Sequence, residues 1–399
     1  MAFESRHFAP RILTSGVPVL RISAHGFLRS ATVAFRKVDC AITRGHALST
    51  PICKHGKCPL LRSPIDEEIT PMPYSIDDLK DRLARFSRLD LADLPTPLDT
   101  CPRLTEALGG PRIYVKREDQ TGLAFGGNKV REFEYSVAPA VDEDYDTLLH
   151  GAASQSNQSR LTAAVAAKLG KRCVMLGRRD DHADPVQGNL LLTHLFGADV
   201  RLIDSPVEKE RIVESLTSEG RKVYNTSFDG YYLRSVSYVD GFIELYQQLQ
   251  ERQIEPDAIY VCSGVHTHVG LVVGAKALGV DVRILGVSPS PRDNAEKNAE
   301  LADVANEVCR MMELDLAFTS DDIETYGEYA GGGYGITTDA GLEAVQLCAR
   351  SEGLLLDPVY SGKAFSGLVD HIGKGMWKEG DSVVFVHTGG TPALFAYSQ

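Results

Sequence analysis

No stretch of this chain is apolar for long enough to cross a bilayer, which takes about 20 consecutive residues. A membrane-spanning role is therefore set aside. Internal repeats are missing too, and no low-complexity segment occurs outside the first 65 residues, which excludes solenoid and fibrous architectures. The eight cysteines (Cys40, Cys53, Cys58, Cys101, Cys173, Cys262, Cys309 and Cys348) are too scattered for a secreted disulfide scaffold. They suit a reducing compartment. Cys53, His55 and Cys58 sit close together, but no second ligand pair follows at zinc spacing, so no metal site is expected.

Acidic residues are nearly absent from residues 1–65, which hold only Glu4 and Asp39 against ten Lys and Arg, about +8 in all. The net charge of −12 then leaves about −20 on residues 66–399. Such an acidic body argues against nucleic acid as a partner, because phosphate backbones need a basic face. The Arg- and Ser-rich leader has the composition of an organellar transit peptide, which implies a mitochondrial location. Read instead as a disordered tail or an upstream stretch, it leaves the protein cytoplasmic. Residues 1–65 are excluded from fold reasoning either way.

With 399 residues, 43% hydrophobic and 24% charged, the remainder reads as an ordinary globular protein of two domains or one interleaved pair. Apolar strands alternate with helices along it. Strands are expected at Ile113–Val115, Thr147–His150, Arg172–Leu176, Asp199–Ile203, Ala258–Cys262, Val282–Val287 and Val383–His387. Helices are expected at Ser75–Arg88, Val130–Val137, Ser156–Leu169, Gln187–Phe196, Val207–Ser218, His268–Leu278, Asn294–Glu313 and Ala340–Ser351. This alternation predicts an α/β fold with buried, mostly parallel sheet. Gly331 to Gly335 reads as a hinge or cap loop.

Chemistry concentrates in one run above all, Lys116-Arg-Glu-Asp-Gln-Thr-Gly-Leu-Ala-Phe-Gly-Gly-Asn-Lys129. Gly126 and Gly127 let backbone approach a ligand, and Lys129 at a helix start is placed to form a Schiff base with a carbonyl. Four further loops are polar and mostly follow strands. Ser154-Gln-Ser-Asn-Gln158 exceeds what helix capping needs. Ser263-Gly-Val-His-Thr-His268 offers backbone donors and the Thr267 hydroxyl to a phosphate at a helix start. His266 and His268, two apart and without a third partner, are a weak metal signal. Asp357-Pro-Val-Tyr-Ser-Gly-Lys363 presents Tyr360 as an acid, a base or a hydrogen-bond donor, and His387-Thr-Gly-Gly390 brings Thr388 towards a ligand ring.

Together with Pro95-Thr-Pro-Leu98, these stretches resemble the D-cysteine desulfhydrase and 1-aminocyclopropane-1-carboxylate deaminase family over residues 75–399, in the same order. The resemblance implies pyridoxal phosphate as cofactor and the tryptophan-synthase-β-like fold (fold type II), two open, mostly parallel sheets with helices on both faces. It implies a large domain of residues 66–131 and 240–399, a small domain of residues 132–239, and a homodimer. Lys129 would carry the cofactor, Asn128 would border it, and Asn157 would contact its phenolic oxygen. Gly264, Val265, His266 and Thr267 would form the phosphate cup, and Thr388 would face the pyridine nitrogen. Ser156, Asn157, Gln158, Tyr360 and Ser361 would line the substrate side, with Lys129, Tyr360 and Ser156 the catalytic set.

The deaminases resemble Tyr-Glu-Gly-Lys and His-Leu-Gly-Gly where this chain has Tyr360-Ser361-Gly-Lys and His387-Thr388-Gly-Gly. A neutral hydroxyl near the pyridine nitrogen makes a weaker electron sink than a carboxylate would, so it favours expulsion of a good β-leaving group over cyclopropane opening. The expected reaction is β-elimination from a small amino acid, D-cysteine giving pyruvate, ammonia and hydrogen sulfide. The alternatives are the cyclopropane deaminase giving 2-oxobutanoate, a lyase for another β-substituted amino acid such as cysteate, or a cofactor-binding regulator. Two departures from the family pattern, His266 in place of a glycine and Gly151-Ala-Ala-Ser154 ahead of Gln155, border the expected cofactor site.

Overall fold

Apolar side chains on both faces of a strand require layers on both sides of it, and the sheets here are built that way. The computed structural model describes residues 74–178, 180, 182–203 and 205–397, so the expected leader lies outside them. Among the described residues the strands are β1 (Leu98–Thr100), β2 (Arg112–Lys116), β3 (Thr147–Ala153), β4 (Arg172–Arg178), β5 (Asp199–Ile203), β6 (Val223–Asn225), β7 (Ala258–Cys262), β8 (Arg283–Val287), β9 (Glu324–Tyr326) and β10 (Ser382–Val386). One sheet has the order β1-β2-β10-β7-β8-β9 and the other β5-β4-β3-β6. Every pairing is parallel except β1 with β2.

Alternation along the central strands feeds two cores at once. Ile259 and Val261 of β7, with Val384 and Val386 of β10, join the layer that includes Val239, Phe242 and Val273. Ala258, Tyr260, Val383 and Phe385 point the other way, onto Phe365, Leu368 and Leu354. In the smaller sheet Leu148, Cys173 and Met175 pack with Leu161 and Val165, while Leu149, Val174 and Leu176 cover Leu216.

The helix Leu233–Glu251 is absent from the sequence-based expectation, as is Ser361–Gly373. Val236, Val239, Phe242 and Ile243 do repeat at helical spacing, but Arg234, Ser235 and Ser237 are buried as well and blur the contrast between faces. The first of these helices packs closely on His266–Leu278. A Cβ added at Gly270 would lie 2.3 Å from Tyr238 Cβ, and one at Gly274 would lie 2.7 Å from Phe242 Cβ. That contact fixes the start of the second helix, where the expected phosphate cup lies.

Candidate active site

Lys129 is delivered by a loop whose backbone has little freedom. Gly126 and Gly127 have φ of +62° and +117°, and a Cβ at Gly126 would fall 2.1 Å from the Asp119 carbonyl oxygen. Thr121 Oγ1 accepts from Gly127 N and donates to Gly127 O, both at 2.9 Å. Arg160 clamps the same loop from below, donating to the Ala124 carbonyl and, at 3.1 Å, to that of Gly126. The helix Asn128–Ser136 then begins, with Asn128 N donating to Thr388 O at 3.0 Å. The Lys129 run and the His387 loop thus form one wall.

Behind that wall the run Lys116-Arg-Glu-Asp119 is structural. Glu118 receives Arg131 Nε and Nη2 at 2.9 Å each and Tyr238 OH at 2.7 Å, while Lys116 pairs with Glu244. This buried network ties the Lys129 helix to the helix Leu233–Glu251.

Between the two sheets lies a cavity of about 340 Å³, a size in keeping with small-molecule sites. Its lining includes Asn128, Lys129, Ser156, Asn157, Gln158, Gly264, Val265, His266, Thr267, Tyr360 and Thr388. Every site residue expected from the sequence is there except Ser361. That hydroxyl is buried behind the wall, where it donates to Asp357 Oδ1 at 2.7 Å and accepts from Asp357 N at 2.8 Å. Asp357 consumes the group that was expected to meet substrate.

Lys129 Nζ lies 2.9 and 3.0 Å from the two oxygens of the buried Glu132 carboxylate. Glu132 Oε1 also accepts from Thr267 Oγ1 at 3.3 Å, so one carboxylate links the lysine to the opposite helix start. Thr267 Oγ1 in turn accepts from Asn128 Nδ2 at 2.9 Å. The helix His266–Leu278 opens at this point with its first-turn amides unpaired, as at any helix start. A Cβ on Gly264 would meet nothing within 4 Å, so that position borders open space. Lys297 Nζ supports the cup from outside, donating to Gly264 O at 2.6 Å. An amine, a phosphate-sized set of donors and room for a ring thus share one cavity, and the residues present fit pyridoxal phosphate.

The polar run Ser154 to Gln158 divides in two. Ser154 and Gln155 brace loops, binding Asp180 and Asn189. Ser156 caps the helix Asn157–Lys168 by accepting from Ser159 N, and Gln158 Nε2 donates to Thr226 O at 3.1 Å. Asn157 Oδ1 accepts from Asn189 Nδ2 at 2.9 Å, which turns the Asn157 amide nitrogen into the free donor.

Tyr360 touches Tyr334, whose loop (the glycine cluster 331–335) covers the cavity. Burial, and then the Tyr334 hydroxyl, push the Tyr360 phenol well above its ordinary range, so it is a proton donor and not a ready base. Burial, with Arg234, Lys129 and Lys297 adding to it, keeps His266 neutral; its Nδ1 lies 3.1 Å from Ser235 Oγ. His268 is satisfied by Ser263 at 2.9 Å and Ile284 O at 3.2 Å. Among the described residues no group of three or more His, Cys, Asp or Glu is placed to hold a metal.

Sequence reasoning missed His150, Ser227, Arg234 and Tyr334, all on the cavity. They arrive singly from separate elements, without a local motif. Arg234 gives no clear signal either, because its stretch also carries Asp240 and Glu244.

The cavity can be set beside known proteins. A family model described as pyridoxal-phosphate dependent enzyme matches residues 89–389. The chain is 41% identical over 325 residues to the D-cysteine desulfhydrases of Salmonella typhi and Salmonella agona, covering 79% of this chain and 97% of each of them. A crystal structure of an ACC deaminase homologue shares 31% identity and a TM-score of 0.72, covering 80% of this chain and 97% of that one. A processed threonine deaminase isoform from Solanum lycopersicum has 16% identity and a TM-score of 0.56, covering 80% of this chain and 86% of that one, and bears on the fold alone.

Proposed function

We propose, for a chain that belongs to the pyridoxal-phosphate dependent enzyme family and has its fold-type-II architecture, β-elimination from a small amino acid as the reaction. D-cysteine, with one water consumed, gives pyruvate, ammonia and hydrogen sulfide; its support is the 41% identity to D-cysteine desulfhydrases. When bound, the cofactor supplies an electron sink for the pair left at Cα. The chain's residues must hold it, orient the substrate and move protons. One observation carries this reading: Lys129 and Thr267, at the His266 helix start, face a single cavity, and the Lys129 amine and the Thr267 hydroxyl share Glu132 as a partner.

In this reading the helix start at His266 and Thr267 holds the phosphate, with Asn128, Gly264 and Val265 bordering it. Asn157 would offer its amide nitrogen to the cofactor's phenolic oxygen, and Thr388 would offer its hydroxyl to the ring. The first amides of the helix Asn157–Lys168, with Ser156 and Gln158 beside them, receive the substrate α-carboxylate. Lys129 Nζ takes the Cα proton, and Glu132 holds that amine in place. Tyr360, kept protonated by burial, delivers a proton to the departing group. Among the described residues no carboxylate lines the cavity, which suits a good leaving group better than ring opening.

Purified protein is expected to show a visible absorption band that Lys129→Ala loses, and to release pyruvate and sulfide from D-cysteine. An unchanged band in the variant overturns the lysine assignment. Release of 2-oxobutanoate from 1-aminocyclopropane-1-carboxylate, with none of pyruvate from D-cysteine, redirects the substrate. The same reading includes the division into residues 66–131 with 240–399 and residues 132–239, a homodimer, testable by sedimentation, and mitochondrial delivery by the basic leader, testable with a reporter fused to residues 1–65.

A further inference from the structure

One buried charge on the cavity is left unused by this reaction. Arg234 is 4% exposed and lies in the first turn of its helix, the positive end, where a cation is disfavoured. Among the described residues no carboxylate lies within ion-pairing distance of it, and its Nε has no hydrogen-bond partner. Its Nη2 donates to Thr226 O, and its guanidinium lies 5.9 Å from the Tyr231 ring centre. Gln158 Nε2 donates to that same Thr226 carbonyl at 3.1 Å, so the amide and the guanidinium stand side by side. Ser227 follows, with Oγ 3.1 Å from His150 Nδ1. All four residues line the cavity.

Counting receptors decides what this corner is for. A phosphate is provided for by the His266 helix start, and an α-carboxylate by the Asn157 helix start. A substrate with a neutral side chain brings no third anion, and the guanidinium would stay desolvated without a counter-charge, which is costly. We propose that His150, Ser227 and Arg234 form a receptor for an acidic side-chain group of the substrate, a sulfonate or a carboxylate. This rests on the elimination reading and names the β-substituent the site prefers. For cysteate, the Cα proton is removed and the Cβ–S bond breaks with its electron pair leaving on sulfur as sulfite. One water is consumed, and pyruvate and ammonia remain.

The test compares cysteate with 3-chloroalanine, both enantiomers of each, on the cofactor-loaded protein, read by displacement of its visible band and by thermal shift. A charge-assisted hydrogen bond predicts that wild type prefers cysteate by roughly 10- to 100-fold. Arg234→Gln should bring that ratio close to one, and Arg234→Lys should keep part of it. In wild type, methanesulfonate should compete with cysteate and not with chloroalanine, an arm that stands even if the variants do not fold. Equal affinities in wild type overturn the receptor. So does a parallel loss for both amino acids in Arg234→Gln, or a loss confined to binding of pyridoxal phosphate by the apoprotein. Pyruvate from D-cysteine with a ratio near one leaves elimination standing without the receptor. The expected ratio without pyruvate from any of these amino acids leaves the receptor standing without elimination.

Discussion

Replacing Arg131 by leucine probes what holds the Lys129 wall in place. The guanidinium is fully buried, gives two 2.9 Å hydrogen bonds to Glu118, and reaches Glu244 Oε1 at 3.0 Å. Burial alone would raise the Glu118 carboxyl, but Arg131 overrides it and the pKa falls from 4.5 to about 2. That lowering corresponds to about 3 kcal/mol of stability, present above pH 4.5 and lost as the pH falls towards 2. Breaking a buried ion pair independently suggests about 3–5 kcal/mol. For a body of this size about 3 kcal/mol lowers the thermal midpoint by about 4 °C. With the guanidinium gone, burial instead raises the Glu118 pKa, so the variant's penalty should shrink between pH 7.5 and pH 5 as the carboxyl takes up a proton. Adding Glu118→Gln should restore part of the loss at pH 7.5. Circular dichroism melts at both pH values check this. A midpoint change below about 1 °C, or a penalty independent of pH and not relieved by the second substitution, refutes the reasoning.

Two further substitutions separate packing from cavity. Gly270→Ala forces a Cβ to within 2.3 Å of Tyr238 Cβ and 2.4 Å of Ser235 O, so the two helices must part; a loss of about 2–3 kcal/mol and poor soluble yield are expected. Gly264→Ala meets nothing within 4 Å, so it should keep the wild-type melt while weakening retention of pyridoxal phosphate, measured by dialysis. Asn189→Ala removes 2.9 Å donors to both Gln155 O and Asn157 Oδ1. Turnover should fall roughly tenfold as Asn157 loses its orientation, with a shifted visible band and a melt lowered by roughly 2–4 °C, because Asn189 is fully buried and its loss leaves the Gln155 carbonyl without that donor; a wild-type band in this variant excludes Asn157 as the ring-oxygen donor.

How much of this was legible in the sequence follows from how each signal is written along the chain. Strand β7 has the bounds expected from the sequence, because a strand buried on both faces is a continuous apolar run bounded by turns; β5, a half-buried edge strand, has its expected bounds as well. The site loops converge because parallel strands place successive carboxyl ends on one side of a sheet, and Ser154–Gln158, Ser263–Thr267 and Thr388 each follow such an end. Arg234, His150, Ser227 and Tyr334 could not be found that way. Their proximity is a property of the assembled helices and of the 331–335 loop. The helix bearing Arg234 was itself hidden by the buried polar residues that make it useful.

The run with the strongest family signature and the residues that choose a substrate are therefore different sets. Lys116, Glu118 and Arg131 are spent on architecture, which explains why so charged a stretch can be so buried. Substrate choice falls to the cavity wall. There Asp357 already accepts from Val359 N and Tyr360 N at 2.9 Å and from Ser361 N at 2.8 Å, while Ser361 Oγ donates to it. A glutamate at position 361 would set a second carboxylate against this buried one, and like charges at that range cannot both stay ionised cheaply. Ser361 thus acts by keeping that wall free of a second charge, which leaves the Thr388 hydroxyl to face the cavity. Of the charged side chains on the cavity lining, Lys129 is paired with Glu132, and Arg234 has no carboxylate within ion-pairing distance among the described residues. A site so charged selects among amino acids by the negative charge they carry beyond the α-carboxylate.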